Sequence, residues 1–478
     1  MSTAISSSQS TTFRFVVNAD ADRNRNRKLI RSHVMLGKNV GKTMRNRKPS
    51  NDPSESRGSD ACGVVQPWPS QAVISNPETT IQRPLGDELA CFTFPCKTEL
   101  SERRLIHHAM YYQLQVLYPK EFCLEHGPMR AQWFEYIQRS EAFFHCSLVL
   151  ATITIDALLG KPMRSVQALK YLANTYSCVN QDLQQHSTPS ESTYAVIVSL
   201  AVHGNLTDNL GVSRVHLEAL KVMLDLRGGI EAFSSNWMLW HKICRVDIDR
   251  TLHEGCDTVF YRHDLPARAL SSTLLLPQSA KLDEYLNGPV ATSLQLQRIM
   301  EDINLFCRLL NQNPLRFGMQ PAAFQNTLII FAYRSIQFCP LAGEPPENGL
   351  DYALHTALLG FVTTILFEYG RMHVHAYDLL ANRLRTAISG LTTSITLEQQ
   401  SALLWVLFVG GISVCGRDDE GWLFPSIRSC LSSLDVKTWD STRAIIEQLP
   451  WIRVAHDMQG RKLWQAVTAA GDHDKLCP

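Results

Sequence analysis

From Glu99 almost to the end of the chain, apolar residues recur three and four positions apart. That interval lets a helix lay one side on a core while its other side meets water. Segment 99–118 (ELSERRLIHHAMYYQLQVLY) begins with charges and places Leu105, Ala109, Tyr112 and Val116 on one side. Segment 129–158 breaks at Ser140 and continues as the apolar run HCSLVLATITIDALL. The next, 162–186, opens on Pro162, suited to a first helical position because no partner for its N–H is needed there. Thr188-Pro-Ser-Glu191 reads as a capping box with a first-position proline, and Thr396-Leu-Glu-Gln399 repeats the device before the apolar segment 402–414.

The clearest amphipathic segment is 212–226. Val212, Val215, Ala219, Val222, Met223 and Leu226 are assigned to its apolar face. Arg214/Glu218 and Lys221/Asp225 are spaced to pair, each worth about 0.2–0.5 kcal/mol. Gly228-Gly229 should end this helix, since a left-handed closing residue costs glycine little. Proline-containing breaks at 265–266, 289, 314, 340–346 and 425 divide the array, strand signals are sparse, and no repeat period stands out. The pattern predicts an all-α, multi-helix array over residues 98–472.

Residues 1–97 are different: rich in Ser, Pro, Asn, Asp and Arg, with SNDPSESRGSD (50–60) and VVQPWPSQ (64–71) as breakers. Too little apolar surface is present to offset the entropy of ordering, so a disordered region is expected. Two ordered islands are expected within it. One is the strand-like Phe13-Arg-Phe-Val-Val17. The other is Lys28–Met44, where Ile30, Val34, Val40 and Met44 line one side of a helix that forms on binding. Gly37 and Gly41 each weaken that helix by about 1 kcal/mol.

Composition narrows the picture further. With 478 residues, 45% hydrophobic, 19% charged and a net charge of +1, the chain has no global pull toward a polyanion or a membrane. No stretch reads as the 18 or so apolar residues a bilayer requires; Leu403–Val414 comes nearest and is expected to be a buried helix. No secretory apolar core precedes the basic run. The thirteen cysteines never form C-x-x-C, and Cys91 with Cys96 is the tightest pair, so they read as small buried residues in a reducing compartment.

Charge is concentrated in one place. Between Arg23 and Lys48 stand ten basic residues and no Asp or Glu: Arg23, Arg25, Arg27, Lys28, Arg31, Lys38, Lys42, Arg45, Arg47 and Lys48. Its densest parts, Arg23–Lys28 and Lys42–Lys48, are spaced like the halves of a bipartite nuclear import signal. Import, alone or with nucleic-acid contact, is the expected role, against a solvated tail with no specific role.

Catalytic and metal constellations fail one by one. No G-x-S-x-G elbow, Walker A loop, G-x-G-x-x-G fingerprint or H-E-x-x-H helix occurs. His107 and His108 point about 100° apart on a helix and do not chelate one ion; His373/His375 is the other histidine pair. His216 is expected to pack, Arg227 to serve a helix C-terminus, and Trp237, Trp240, Trp405 and Trp451 to sit in the core. The expectation is no catalytic residue, no cofactor, and no stoichiometric zinc. An effector pocket between helices is compatible with the array, but the sequence does not place it.

Several segments carry a family resemblance. His216-Leu-Glu-Ala-Leu-Lys-Val-Met-Leu-Asp-Leu-Arg-Gly-Gly-Ile230 and Ile243-Cys-Arg-Val-Asp-Ile-Asp-Arg250 resemble the fungal-specific transcription factor domain. So do Leu404-Trp-Val-Leu-Phe-Val-Gly-Gly411, and Leu449-Pro-Trp-Ile452 followed by Trp464. The N-terminal Phe13-Arg-Phe-Val and Arg27–Met35 resemble the opening of a subgroup. The resemblance spans roughly residues 99–470 and implies a nuclear role in transcription. The family's DNA-binding module needs six cysteines, beginning with two C-x-x-C halves, to hold two zinc ions, and residues 1–61 contain no cysteine. The resemblance therefore implies a regulator that works through transcription-related proteins, with at most weak, sequence-tolerant DNA contact from the basic run. A pathway-specific role, as in secondary metabolism, is one form of this, and a helical scaffold outside transcription is the alternative. No membrane partner is expected, and the sequence leaves oligomeric state open.

Overall fold

Buried polar staples and side-chain caps decide where the predicted helices begin, stop and cross. The computed structural model describes residues 87–123, 127–186, 188–233, 235–261, 293–312, 318–367, 377–391 and 396–473. After a 3₁₀ turn at Asp87–Cys91 come α1 (Leu100–His108), a π-helical turn (Ala109–Gln113), α2 (Leu114–Leu117), α3 (Gly127–Arg139), α4 (Glu141–Leu158), α5 (Val166–Gln185), α6 (Glu191–Leu206), α7 (Leu210–Leu226) and α8 (Trp237–Glu254). They are followed by α9 (Leu294–Gln312), α10 (Pro321–Phe338), α11 (Gly349–Leu366), α12 (Asp378–Ser389), α13 (Leu397–Ser413), α14 (Glu420–Ser433), α15 (Trp439–Ile446) and α16 (Arg453–His473). Among the described residues there is no β-strand, only an isolated bridge between Cys123 and Met319. The all-α expectation holds. The ordered islands proposed for 13–17 and 28–44 lie outside the described residues, as do residues 1–86 of the region expected to be disordered over 1–97; its last part, 87–97, is instead ordered, with Leu89 buried and Phe94 packed on Phe134 and Phe144.

The first seven helices gather around α4 and α6, and the last six around α11 and α13. α8 touches α6 on one side and α10 and α12 on the other, so it joins the two groups. α4 and α11 are long and apolar enough to cross a membrane by length and composition, which corrects the expectation that no such stretch exists. They are instead 67% and 83% buried within the protein and form its core. α13 is buried along most of its length, with Trp405 wholly enclosed.

Caps explain most helix starts. Ser140 accepts a hydrogen bond from the Phe143 N–H and Thr396 from that of Gln399, the latter with the full reciprocal capping box expected. Two expected starts are displaced. α5 begins at Val166 rather than Pro162, because the Ser165 hydroxyl accepts from the Ala168 N–H, whereas Lys161, which would cap a helix starting at Pro162, has no side-chain acceptor. α6 begins at Glu191, capped by Ser190 rather than Thr188, so Pro189 precedes the cap and Glu191 complements the helix dipole in the first turn.

α7 is rotated from its expected face. Ser213, His216, Leu217, Leu220, Met223 and Leu224 are buried, while Val215, Val222 and Leu226 are exposed, Leu226 by 72%. The reason is close approach at Gly204 of α6, where an added Cβ would strike the Ser213 backbone. That contact turns the small residue inward and valines outward. Arg214 consequently pairs with Glu254 of α8 at 2.8 Å instead of with Glu218, whereas Lys221 and Asp225 pair as expected at 2.7 Å. The helix stops where predicted: Gly228 and Gly229 take φ of 98° and 93°, and the Gly229 N–H closes on the Leu224 carbonyl. Arg227 then stacks over Phe233 and Tyr194.

The Val-Asp-Ile-Asp motif of α8 is a structural staple. Asp247 accepts from the Val259 and Phe260 N–H groups and from the Tyr333 hydroxyl at 2.8–2.9 Å. Asp249 accepts from Asn205 and from the Tyr377 hydroxyl, tying α8 to α6 and to the start of α12. The Leu-Pro-Trp-Ile motif acts similarly: Trp405 donates to the Pro450 carbonyl and Asn311 to that of Trp451.

Candidate functional site

Beside α8 the first group of helices leaves a cavity of about 120 Å³. Its walls come from the π-helical turn, α2, α3, α4 and α6, and its floor from α8. π-Helical turns occur often at functional sites because the extra residue displaces side chains from regular packing. Here that turn presents Met110 and Gln113, and Gln113 donates to the Leu150 carbonyl and the Thr154 hydroxyl of α4 at 3.1 and 2.9 Å. Trp133, Ile137 and Phe143 supply much of the apolar wall.

The floor carries three nitrogen bases and no acid. His241, Lys242 and Arg245 all line the cavity, and no Asp or Glu does so among the described residues. His241 and Arg245, at positions i and i+4, share one side of α8, and Lys242, about 100° round the helix from His241, borders the same cavity. Lys242 donates to the Ser199 hydroxyl at 2.5 Å and lies 4.8 Å over the Trp133 ring. Burial, against the opposing pull of Cys146 and with a push from Arg245, lowers its ammonium pKa to about 8. Arg245 is fixed by hydrogen bonds to Gln325 and the Leu366 carbonyl. His241 is buried, with no partner for Nδ1 among the described residues, and desolvation plus Arg245 lowers its pKa to about 3, so it is neutral.

An apolar chamber with a charged ammonium, a guanidinium and an unpartnered imidazole nitrogen is poised to hold one anionic head group on a greasy body. Ser199, which meets Lys242, donates its own hydroxyl proton to the Ala195 carbonyl. Cys146, the thiol near Lys242, is raised to about 11 by burial and stays protonated.

None of the basic residues predicted to act, from Arg23 to Lys48, lies within the described residues, nor do His373 and His375. His107 and His108 do not converge: each stacks on its own tyrosine, Tyr111 and Tyr112. His216 packs on Tyr176, with which it shares a hydrogen bond of 3.2 Å, as expected of a packing residue. Trp405 and Trp451 are buried, whereas Trp237 and Trp240 are half-buried. Sequence reasoning missed His241, Lys242 and Arg245. The available signal was three basic residues within the apolar WMLWHKICR, with no acid before Asp247.

The model of the family described as "Fungal specific transcription factor domain" matches residues 108–449, which takes in the whole cavity and every helix from α2 to α15. No curated protein and no solved structure matches the chain.

Proposed function

The chain belongs to the fungal specific transcription factor domain family, and from that premise we propose a nuclear transcription regulator that works through protein partners and responds to an amphipathic anionic small molecule held over α8. The family supports the transcriptional role. The observation that carries the effector is the cation-floored, acid-free cavity. A carboxylate set beside Lys242 and Arg245 compensates buried positive charge that Ser199, Gln325 and a carbonyl only partly solvate. The basic run at 23–48 directs import, and partners deliver the regulator to its genes, because residues 1–478 contain no C-x-x-C pair for a zinc cluster.

Calorimetry on the full chain tests the effector, with decanoate as probe and decanol as its uncharged counterpart. Decanoate binds, and decanol binds about 10–100-fold more weakly, the range of a charge-assisted hydrogen bond. Lys242→Met, which keeps the length and apolar stem, brings decanoate down to the level of decanol. The pH sense follows from the lowered ammonium: affinity holds below pH 8 and falls as pH rises through about 8, where Lys242 loses its proton. Equal affinity for acid and alcohol, or an unchanged Lys242→Met protein, sinks the proposal.

DNA contact, if the basic run makes it, is weak and sequence-tolerant, since flexible Lys and Arg side chains meet phosphates rather than base edges. With about six phosphates engaged, log affinity falls against log salt with a slope near −5. A peptide of residues 20–50 titrated against two unrelated duplexes should reproduce most of the binding. Salt-resistant preference for one duplex would reveal a specific reader instead.

A further inference from the structure

Three metal-ligating side chains meet at the start of α4, on a different face from the one that lines the cavity. The Cys96 Sγ, a Glu141 carboxylate oxygen and a His145 ring nitrogen all lie within 4.8 Å of one another. Glu141 and His145 are one helical turn apart, with Nε2 3.8 Å from Oε1. Cys96 comes from the loop before α1. Phe94 holds that loop against the helices, its ring 5.7 Å from Phe144 and 6.1 Å from Phe134.

Glu141 and His145 meet, yet polar capacity is left over: among the described residues His145 Nδ1 is buried with no partner. Among the described residues, Glu141 has no Lys or Arg within salt-bridge distance; the His145 imidazole and the Cys96 thiol stand near its carboxylate. Glu141, beside both the thiol and the imidazole, supplies the negative charge that draws a dication to the spot.

We propose that Cys96, Glu141 and His145 form a zinc-binding site. A thiolate, an imidazole and a carboxylate make the mixed, borderline-soft donor set that zinc accepts, with three protein ligands and water or another donor in the fourth position. Bonds of 2.0–2.3 Å put tetrahedral donors about 3.5 Å apart, so the widest separation here closes by about 1 Å. His145 is the fixed member, buried and packed near Tyr171 with ring centroids 6.4 Å apart. Glu141 is half exposed and Cys96 sits on a loop, so these two move in. On binding, the ion replaces the thiol proton, and one proton is released to solvent. Spacing conceals the set, since Cys96 precedes Glu141 by 45 residues, so the expectation of no zinc is replaced by this site.

The full chain, stripped by chelator and reloaded, provides the test. One Zn²⁺ per chain should survive dialysis, and its addition should raise the melting temperature of the stripped protein. Co²⁺ should give the visible bands of a tetrahedral site and a thiolate-to-metal charge-transfer band. Cys96→Ser should abolish the charge-transfer band and lower affinity at least about tenfold, while Cys91→Ser, in the same N-terminal segment, changes neither. Glu141→Gln, also near the surface, should weaken binding without loss of helical circular dichroism, which guards against misreading an unfolded His145 variant. A stripped protein that retains no ion, or a charge-transfer band that survives Cys96→Ser, overturns the assignment.

Discussion

A fluorescent fusion carrying Ala at Arg25, Arg27, Lys28, Arg45, Arg47 and Lys48 is expected to stay in the cytoplasm, whereas the unaltered chain concentrates in the nucleus. Six of the ten basic residues of the run are removed, three from each dense cluster, and no acid stands between Arg23 and Lys48 to mask them. Import receptors read such runs through charge, which falls steeply once both clusters are weakened. The effect should be close to all-or-none, because a 53.9 kDa chain with its fusion partner enters the nucleus poorly without a signal. Each cluster substituted alone should give an intermediate distribution if the signal is bipartite. Nuclear accumulation of the sixfold variant would place the signal elsewhere, and a cytoplasmic wild type would favour the scaffold reading.

The largest effect on stability is expected from Asp247→Ala. That change strands the Val259 and Phe260 N–H groups and the Tyr333 hydroxyl, all in or beside the core. At about 1–3 kcal/mol for each unsatisfied group, with partial relaxation, the loss should be about 3–5 kcal/mol, a large part of the stability of an ordinary domain. Urea denaturation measures it, and a loss under about 1 kcal/mol would remove Asp247 from its central place.

Asp247→Asn separates charge from hydrogen bonding. Desolvation outweighs the hydrogen bonds and raises the Asp247 pKa from 3.8 to about 6. A carboxyl that holds its proton more tightly when folded contributes stability fully below its unfolded value near 4. That contribution is lost as pH rises through about 6. Two units correspond to about 3 kcal/mol, so wild type should lose stability relative to Asp247→Asn between pH 4 and pH 7 by up to that amount. A difference independent of pH would contradict the raised value.

The aromatic and glycine motifs that gave the family away turn out to be parts of the scaffold. Gly228-Gly229 closes α7, Asp247 and Asp249 staple α8, and Trp405 with Trp451 seals the second helix group. These are legible in a sequence because each is a local demand for one residue type: a positive φ, a buried acceptor, a large ring. The cavity floor was not legible. Nothing in WMLWHKICR says whether Lys242 faces water or a chamber, since that depends on how α3 and α6 cross it.

By itself the sequence determined the all-α class, the end of α7, the cap of α13 and the concentration of positive charge at 23–48. Each follows from interactions within a few residues: helical spacing, side-chain caps, glycine's tolerance of left-handed backbone, and summed charge. Only the tertiary structure decided which face of α7 is buried, because the approach of Ser213 to Gly204 outweighs two outward-facing valines. It also decided that His241, Lys242 and Arg245 share a cavity without a carboxylate, and that Cys96 reaches Glu141 and His145. Those neighbours come from helices distant in sequence, and no periodicity along one chain encodes the contacts between them.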